Sequence, residues 1–489
     1  MSEPDTLSRR TLLRGTLAAA AVVGFDPLRR CWATEADAAA VLVDDFPLFD
    51  GDLLVDEATL AAAADDFGHQ VSRRPLAVLR PGSVDDVVRL VRFCRRHRIG
   101  VAARGQGHTT DGQAQVDAGV VIDMSPLDDV GAVGAGSVWV GAGVTWNALL
   151  QATLPHGVAP PVLTDYIDLS VGGTLAVGGV GSQSFRFGAQ VDNVLALTVV
   201  TGRGELVTCS ATTRRRLFHA VLAGLGQFAV VVRARLRLVP APPMTRFYRA
   251  IYDDLSALLA DQRTAVADGR FDTVQGFAEP DGASGYLYVL EANKGFTPGA
   301  EPDDAALLAG LGFLPGQVTI QDLTWYEYLN RLAPIVELLQ QIGVWFFPHP
   351  WLDVFLPDSE AEAVIAETLA ATPEVDLQGP VLIYAFPRAS FGRPFFRLPD
   401  EEGVVMFSLL RTAVPPTPER AAELTAANRV LFERAVAAGG NAYPISAFPE
   451  RRNEWRRHYG ESWPLFQLAK LRWDPARILA PGREIFAGP

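Results

Sequence analysis

Apolar and polar residues alternate along the chain in patterns that predict both strands and helices. An apolar run at 76–80 is typical of a strand, and after a Pro-Gly turn apolar residues recur with helical spacing over 84–97. Ser83 is placed to cap this helix, because Asp86 follows three residues later. A second apolar run at 99–103 then completes a β-α-β unit.

The chain divides at 240–243, where a proline-rich stretch ends a first α+β region. From this point to about 440, longer helical stretches alternate with aromatic-rich strands such as 285–290. We therefore predict a first domain at 34–243, a second at 244–440, and a segment at 441–489 that returns to the first. Within the first domain the pattern also predicts strands at 120–124, 138–141 and 228–238, a hairpin at 195–209, and helices at 145–153 and 217–223.

Residues 1–33 have the composition of an export signal. Arg9 and Arg10 precede a mildly apolar stretch at 16–25, which is too short to span a bilayer. Paired arginines resemble the twin-arginine signal, which exports proteins already folded. We therefore expect a periplasmic or secreted protein with cleavage after Ala33. The alternative is a basic amphipathic start to an ordinary helix.

Composition excludes several classes of protein. The chain has 489 residues, of which 49% are hydrophobic and 20% charged, as in ordinary globular proteins. Its formal charge of −13 argues against a nucleic-acid partner, which needs concentrated Lys and Arg. Three cysteines are too few for a disulfide framework, and no His/Cys cluster has metal-ligand spacing, so we expect no metal. Outside the export signal no apolar run is long enough for a transmembrane span.

The candidate chemistry begins in a loop directly after the strand at 99–103. Gly105 and Gly107 would let the backbone approach a phosphate closely, and His108 follows them. A nicotinamide-type fingerprint would need a third small residue and an opening helix, but a polar, turn-rich stretch follows at 109–113. The loop instead resembles the pyrophosphate loop of vanillyl-alcohol-oxidase-like flavoproteins, in which a histidine is covalently joined to FAD.

Further segments resemble the cytokinin dehydrogenases, a family of these flavoproteins, and together they cover roughly 40–489. The chain is similar to a bacterial member with an altered pocket rim. This resemblance implies a two-domain α+β architecture: a PCMH-type FAD-binding fold with an α/β substrate (cap) domain. The segments that carry it lie at 164–175, 185–191, 198–210, 224–228, 348–352 and 474–482.

The resemblance also implies an activity. Such an enzyme oxidises the secondary amine of an N6-alkyladenine and passes hydride to FAD. Hydrolysis of the imine then releases adenine and an aldehyde. The sequence leaves open whether oxygen or a quinone is the electron acceptor.

Matching positions imply the site residues. His108 would carry FAD covalently, and Asp165 would be the catalytic base, since a carboxylate can accept the amine proton. The alternatives are a hydrogen-bonded loop histidine and a capping or turn aspartate; Asp168 matches no catalytic position, and His349 between two prolines is expected to be structural. The expected cofactor-binding residues are Ala103, Gly105, Gln106, Gly107, His108, Thr109, Gln113, Asp165, Ser170, Gly172, Gly173, Thr174, Ala176, Val180, Val231, Ile445, Ala480 and Arg483. The expected substrate-binding residues are Asp165, Gln275, Phe346, Trp351 and Ser446.

The chain departs from the family at the pocket rim. Gln275 stands where members usually have a glutamate, and Phe346 where many have a carboxylate. Ile445 and Ser446 replace a Tyr-Leu pair, while Ala480 and Arg483 replace a serine and a glutamine. These changes leave two alternatives open: a flavin oxidase of the same fold that acts on another amine or an alcohol, and a flavin-carrying binding protein without turnover.

Overall fold

The computed structural model describes residues 22–26, 31–34, 47–283, 285–447 and 453–488. Strand β1 (Val22–Asp26) pairs antiparallel with β2 (Cys31–Thr34), both in or beside the predicted export signal. The rest of that signal, with Arg9 and Arg10, lies outside the described residues. None of the helices described is both long and apolar enough to cross a membrane.

The first sheet of the main body carries the predicted β-α-β unit. Its strand order is β3-β4-β6-β5, with the last three strands parallel. The helix predicted over 84–97 is confirmed, and the Ser83 side chain accepts a hydrogen bond from the Asp86 backbone as expected of an N-cap. The elements are β3 (Asp52–Leu54), α1 (Glu57–Ala63), β4 (Ala77–Arg80), α2 (Val84–His97), β5 (Val101–Arg104) and β6 (Val120–Asp123).

A second, antiparallel sheet follows in the order β10-β9-β11-β7. This sheet contains the predicted hairpin. The first helix in this part of the chain begins directly after its N-cap residue, Thr145. The helix expected at 217–223 ends early, because Leu222 is extended and Ala223 has a positive φ of 55°. The elements are β7 (Ser137–Gly141), α3 (Trp146–Thr153), β8 (Val158–Ala159), α4 (Val171–Val177), α5 (Ser184–Phe187), β9 (Val194–Thr201), β10 (Leu206–Ser210), α6 (Arg215–Val221), β11 (Ala229–Arg237) and β12 (Val239–Pro240).

The region after 243 forms an eight-stranded antiparallel sheet in the order β16-β13-β15-β14-β18-β19-β17-β20. Its strands β17, β18 and β19 are buried along almost their whole length, as expected for a sheet covered on both faces. The elements are β13 (Met244–Tyr252), α7 (Leu255–Asp268), β14 (Thr273–Pro280), β15 (Tyr286–Phe296), α8 (Asp304–Leu308), β16 (Val318–Thr324), α9 (Trp325–Leu329), α10 (Ala333–Gln341), β17 (Leu352–Pro357), α11 (Asp358–Ala371), β18 (Val381–Pro387), β19 (Gly403–Leu409), α12 (Pro418–Ala437) and β20 (Asn441–Ala442).

The C-terminal segment returns to the first sheet after β20. It contains α13 (Glu454–Tyr459) and α14 (Trp463–Trp473). Beyond α14, the Ala480 amide donates to the Val101 carbonyl, and the Val101 amide donates to the Ile478 carbonyl. The connection is held by a buried ion pair in which Lys470 Nζ lies 2.9 Å from Asp474 Oδ2. The chain thus closes on the strand that leads into the Gly105 loop.

Candidate active site

A cavity of about 920 Å³ lies between the first two sheets and the eight-stranded sheet. Its wall is mostly apolar, and each of the three sheet regions contributes to it. Every residue expected to bind the cofactor lines this cavity: Ala103, Gly105, Gln106, Gly107, His108, Thr109, Gln113, Asp165, Ser170, Gly172, Gly173, Thr174, Ala176, Val180, Val231, Ile445, Ala480 and Arg483.

Two glycine-containing segments form a narrow cradle on one side of the cavity. A Cβ on Gly105 would lie 1.8 Å from Ser170 Oγ, so a side chain there would collide with the segment that begins α4. Gly107 has a φ of 68°, and a Cβ on it would lie 2.2 Å from the Arg104 guanidinium. A surface that excludes side chains lets backbone N–H groups approach a phosphate. This cradle and the apolar wall beside it fit a dinucleotide with a flat ring system.

His108 sits at the end of the cradle with its ring toward the cavity. The Phe67 ring packs against it at 4.0 Å, and the rings of Tyr166, Trp345 and Trp351 lie 5.1, 5.8 and 5.5 Å away. Burial, with a smaller contribution from nearby His349, lowers the pKa of His108 to about 3. The imidazole is therefore neutral at pH 7, which leaves a ring nitrogen able to act as a nucleophile.

His349 fixes this aromatic cluster. Its ring stacks on Phe67 at 4.0 Å with an angle of 3° between the planes. Its Nε2 lies 3.1 Å from the Trp345 carbonyl and its Nδ1 lies 3.2 Å from Thr412 Oγ1. Burial lowers the pKa of His349 to about 4, so the ring is neutral. These contacts agree with the structural role expected for this residue, although the ring also lines the cavity.

Asp165 lies on the cavity wall and is held by two donors from the second region. Arg331 Nη2 donates to Asp165 Oδ1 at 2.6 Å, and the Tyr384 hydroxyl donates to Oδ2. Behind them Gln275 Oε1 lies 3.2 Å from both Arg331 Nη2 and the Tyr384 hydroxyl. The carboxylate is therefore fixed in position while it still faces the cavity.

The charges around Arg331 are balanced by neighbouring carboxylates. Burial alone would lower the pKa of Arg331, but Tyr328, Asp165 and Glu291 together raise it above its ordinary value. Burial raises the pKa of Glu291, and Arg331 opposes that shift. Gln275 Nε2 donates to Glu291 Oε2 at 2.7 Å, across the register pair of β14 and β15. The partly buried Arg331 guanidinium thus stands between two carboxylates.

The expected substrate-binding residues are not all at the cavity wall. Asp165 and Trp351 line it, but Gln275 is fully buried in the layer behind Tyr384. Phe346 does not line the cavity: it is 61% exposed, because a short turn at Val344–Phe346 points it outward while Phe347 lines the wall. Ser446 is also absent from the wall, because its hydroxyl is occupied by backbone groups of Asp353 and Tyr443.

Two residues of the site carried no sequence signal. Arg331 and Tyr384 both reach Asp165 from the second region. Neither lies in a recognisable motif, and only the packing of the eight-stranded sheet on the first region brings them there. Asp168, in contrast, is bound by Asn147 Nδ2 at 2.8 Å and does not line the cavity.

The described residues show no metal site. No group of three or more His, Cys, Asp or Glu side chains among them is placed to hold a metal ion. Cys94 and Cys209 are both buried and free. Among the polar side chains that line the cavity are the carboxyl groups of Asp165 and Asp353, the Tyr384 hydroxyl and the neutral rings of His108 and His349.

Two family profiles match the chain. The family described as "FAD binding domain" matches residues 75–210, which include the Gly105 loop and the segment that begins α4. The family described as "Cytokinin dehydrogenase 1, FAD and cytokinin binding" matches residues 278–486, which include most of the eight-stranded sheet and the returning C-terminal segment. The chain therefore binds FAD, and the fit of the cradle agrees with that cofactor.

Relatives align over most of the chain. An uncharacterized oxidoreductase, ORF5 in the fasciation locus of Rhodococcoides fascians, is 40% identical over 87% of this chain and 97% of that protein. Cytokinin dehydrogenase 9 of Oryza sativa subsp. japonica is 35% identical over 87% of this chain and 89% of that protein. Cytokinin dehydrogenase 1 of Arabidopsis thaliana is 33% identical over 86% of this chain and 80% of that protein.

The fold agrees with a solved structure. The VAO-type flavoprotein MtVAO615 from Myceliophthora thermophila C1 superimposes with a TM-score of 0.68 at 20% identity. The match covers 84% of this chain and 79% of that one. The similarity establishes a two-domain fold of the type expected from the sequence.

The cradle generates a prediction about cofactor content. Gly105→Ala places a methyl group 1.8 Å from Ser170 Oγ and 2.9 Å from Ser170 Cβ, so the Ser170 side chain must turn away and the two cradle segments must shift. We expect the purified variant to contain much less flavin per protein than the unmodified chain, measured from the ratio of flavin to protein absorbance. Gly136→Ala is the control, because a Cβ there meets nothing within 4 Å. Equal flavin content in all three proteins would contradict the role of the cradle.

Proposed function

The chain belongs to the cytokinin dehydrogenase family of FAD-dependent oxidoreductases, and from this premise we propose that it oxidises the secondary amine of N6-alkyladenines to adenine and an aldehyde. The observation that carries the proposal is the placement of Asp165. Its carboxylate lies on the wall of the cavity that contains the FAD cradle, and two donors hold it there. A fixed proton acceptor beside a redox cofactor suits the oxidation of an amine.

Bound FAD supplies the acceptor for the hydride that leaves the carbon next to the amine nitrogen. The chain's own contribution is to remove the proton from that nitrogen. Asp165 accepts it, while Arg331 and Tyr384 keep both carboxylate oxygens oriented. Loss of a hydride from carbon and a proton from nitrogen leaves a carbon–nitrogen double bond, which water hydrolyses to the amine and the aldehyde.

The wall of the cavity suits a flat, apolar substrate. Trp345 and Trp351 line it on one side, and Leu332, Val336 and Leu339 of the α10 region line it on another. Aromatic faces of this kind bind planar rings by stacking, and the aliphatic side chains exclude water from the reacting bond. Oxygen or a quinone then serves as the final electron acceptor.

A second candidate is the oxidation of another amine or of an alcohol by the same fold. It is favoured by Gln275, which stands where the family usually has a glutamate. Here Gln275 contacts Arg331 and Glu291 instead of the cavity. Anaerobic mixing with N6-isopentenyladenine distinguishes the candidates. Bleaching of the flavin absorbance supports the first, and an unchanged spectrum with bleaching by other amines or alcohols supports the second.

Turnover should depend on Asp165. Asp165→Asn keeps the shape of the side chain but removes the basic oxygen, so flavin reduction in single-turnover mixing should slow by roughly 10²–10⁴-fold. The variant should remain yellow. Asp168→Asn is the matched control and should react at nearly the unmodified rate, because Asp168 does not line the cavity. Unchanged flavin reduction in Asp165→Asn would remove this residue from the mechanism.

We further propose that His108 carries the flavin covalently. The neutral ring at the end of the cradle supports this, since only an unprotonated nitrogen can form the bond. Acid-precipitated protein should therefore stay yellow, whereas His108→Ala should release its flavin into the supernatant. His156→Ala changes an exposed histidine and should keep the flavin in the pellet. Release of flavin from the unmodified protein would rule out the covalent bond.

We also propose export of the folded, FAD-loaded protein by the signal at 1–33. Its support is the sequence pattern alone, because Arg9 and Arg10 lie outside the described residues. Replacing both by Lys should leave the precursor in the cytoplasm, as measured by fractionation and immunoblotting. The same change at Arg29 and Arg30 is the control and should leave export intact. Normal export of the first variant would contradict the proposal.

A further inference from the structure

The outer face of α14 is apolar, although this helix already has an apolar face toward the protein interior. Phe466 and Ala469 are buried on the inner side. On the outer side Leu465, Leu468 and Leu471 are 59%, 56% and 56% exposed. A surface helix normally presents polar and charged side chains to water, and a helix that is apolar all round is typically covered on both sides. The outer face of α14 therefore has the character of a contact surface.

The three exposed leucines form one stripe. They lie three residues apart, so each is turned by about 60° from the next around the helix axis. Arg472 projects between Leu465 and Leu468 in the same view and is exposed. The helix contains no acidic residue, and its other cation, Lys470, points inward to Asp474 and the Leu479 carbonyl. The exposed face of α14 thus combines leucines with positive charge.

Three further arginines surround the C-terminal end of α14. Arg203 Nε donates to the Arg472 carbonyl at 2.8 Å. From α2, Arg95 Nη1 donates to the Arg203 carbonyl at 3.5 Å, and Arg92 Nε donates to the Gly204 carbonyl at 2.9 Å. Arg92 and Arg95 are exposed, and Arg203 is half-buried. Within the part of the chain that the structure describes, none of these four guanidinium groups forms an ion pair with a carboxylate.

This concentration of positive charge contrasts with the whole chain, whose formal charge is −13. Glu205 adds one negative charge in the turn after Arg203, and Glu461, ahead of α14, lies near Arg397. The arginines therefore outweigh the acidic groups beside the leucine stripe. Interfacial helices bind bilayers with this combination, since apolar side chains enter the headgroup boundary and cations attract anionic lipids.

We propose that this face binds the surface of a bilayer that contains anionic phospholipid. The α14 surface consists of Leu465, Leu468, Leu471, Arg92, Arg95, Arg203 and Arg472. Its three leucines cover far less than the roughly 800 Å² per partner that a stable protein–protein interface buries. Ile335 and Val414, the exposed residues of the cavity wall, belong to the second region, whereas α14 packs on α6 of the first. The proposal is independent of the reaction proposed above.

The first test measures binding of the FAD-loaded full chain to vesicles by sedimentation at low salt. One kind of vesicle is phosphatidylcholine alone, and the other is an equal mixture with phosphatidylglycerol. Every protein carries Gln in place of Arg9, Arg10 and Arg14, so that these arginines of the export signal attract no lipid. We expect roughly tenfold tighter binding to the mixed vesicles, weakened by added salt. Because the chain is acidic overall, its net charge opposes this preference. Equal binding to both vesicles, or none, would overturn the proposal.

The apolar part of the surface is tested by a double substitution. Leu468→Gln with Leu471→Gln removes two of the three leucines and should weaken binding to the mixed vesicles by roughly tenfold or more. Leu338→Gln with Ile342→Gln is the matched control, because these side chains on and just after α10 are exposed to a similar extent, at 51% and 59%. The control should bind like the unmodified protein. The same binding in both double variants would contradict the role of α14.

The charged part of the surface is tested in the same way. Arg95→Gln with Arg472→Gln removes two unpaired cations and should weaken binding by roughly tenfold or more. Arg388→Gln with Arg434→Gln changes the net charge by the same amount in the second region and should leave binding unchanged. Equal losses in the two variants would show that net charge alone governs binding and would overturn the assignment.

The molar mass in solution distinguishes a bilayer from a second copy of the chain as the occupant of this surface. Light scattering should give the same molar mass for the unmodified protein and for Leu468→Gln with Leu471→Gln, because the stripe meets lipid. A dimer that this substitution converts to a monomer would show that the leucines join two copies, and the proposal would be overturned. The ratio of flavin to protein absorbance should be equal in all variants, since every substituted side chain lies outside the cavity wall.

Discussion

The partly buried ion pair between Arg331 and Asp165 is the contact on which the rest of the site depends. It joins a loop of the first region to the turn that follows α9 in the second, across 166 positions of the chain. A buried charge without its partner is strongly destabilising, so neither residue can move far from the other. The pair therefore fixes the distance between the FAD cradle and the eight-stranded sheet. It also determines where a proton can be accepted inside the cavity.

This ion pair accounts for the departure from the family at Gln275. Arg331 already has Asp165 and Glu291 near it, and Gln275 lies 2.7 Å from Glu291. A glutamate at 275 would put a third carboxylate beside Arg331 and against Glu291, whose other cation, Arg249, lies 3.8 Å away. At the 2.7 Å that separates residues 275 and 291, two ionised carboxylates repel strongly. A glutamine avoids this, because its amide donates to Glu291 while its oxygen accepts from Arg331 and Tyr384. Gln275 thus supports the catalytic carboxylate, whereas the sequence had placed it at the pocket rim.

The sequence predicted what depends on local rules. The helix at Val84–His97 followed from its apolar spacing and the Ser83 cap, and the cradle followed from Gly105 and Gly107 directly after a strand. Arg331 and Tyr384 were missed because their partner is 166 and 219 residues away, and no local pattern encodes such a contact. Phe346 was assigned to the substrate site from the family resemblance, but the short turn that contains it directs it outward, and Phe347 lines the wall instead.

Two of the carboxyl groups that line the cavity, those of Asp165 and Asp353, have opposite surroundings, and this divides their chemistry. Asp165 has a guanidinium and a tyrosine hydroxyl as donors, which suits a group that must accept a proton and remain in place. Asp353 has no charged partner within the described residues, and its pKa is raised to about 7, so it is present as both acid and carboxylate near neutral pH. Different environments for two titratable groups in one cavity are a general sign of different roles. Burial of a carboxyl on β17 costs more than burial of an apolar residue, and Ser408 at the paired position of β19 offsets part of that cost.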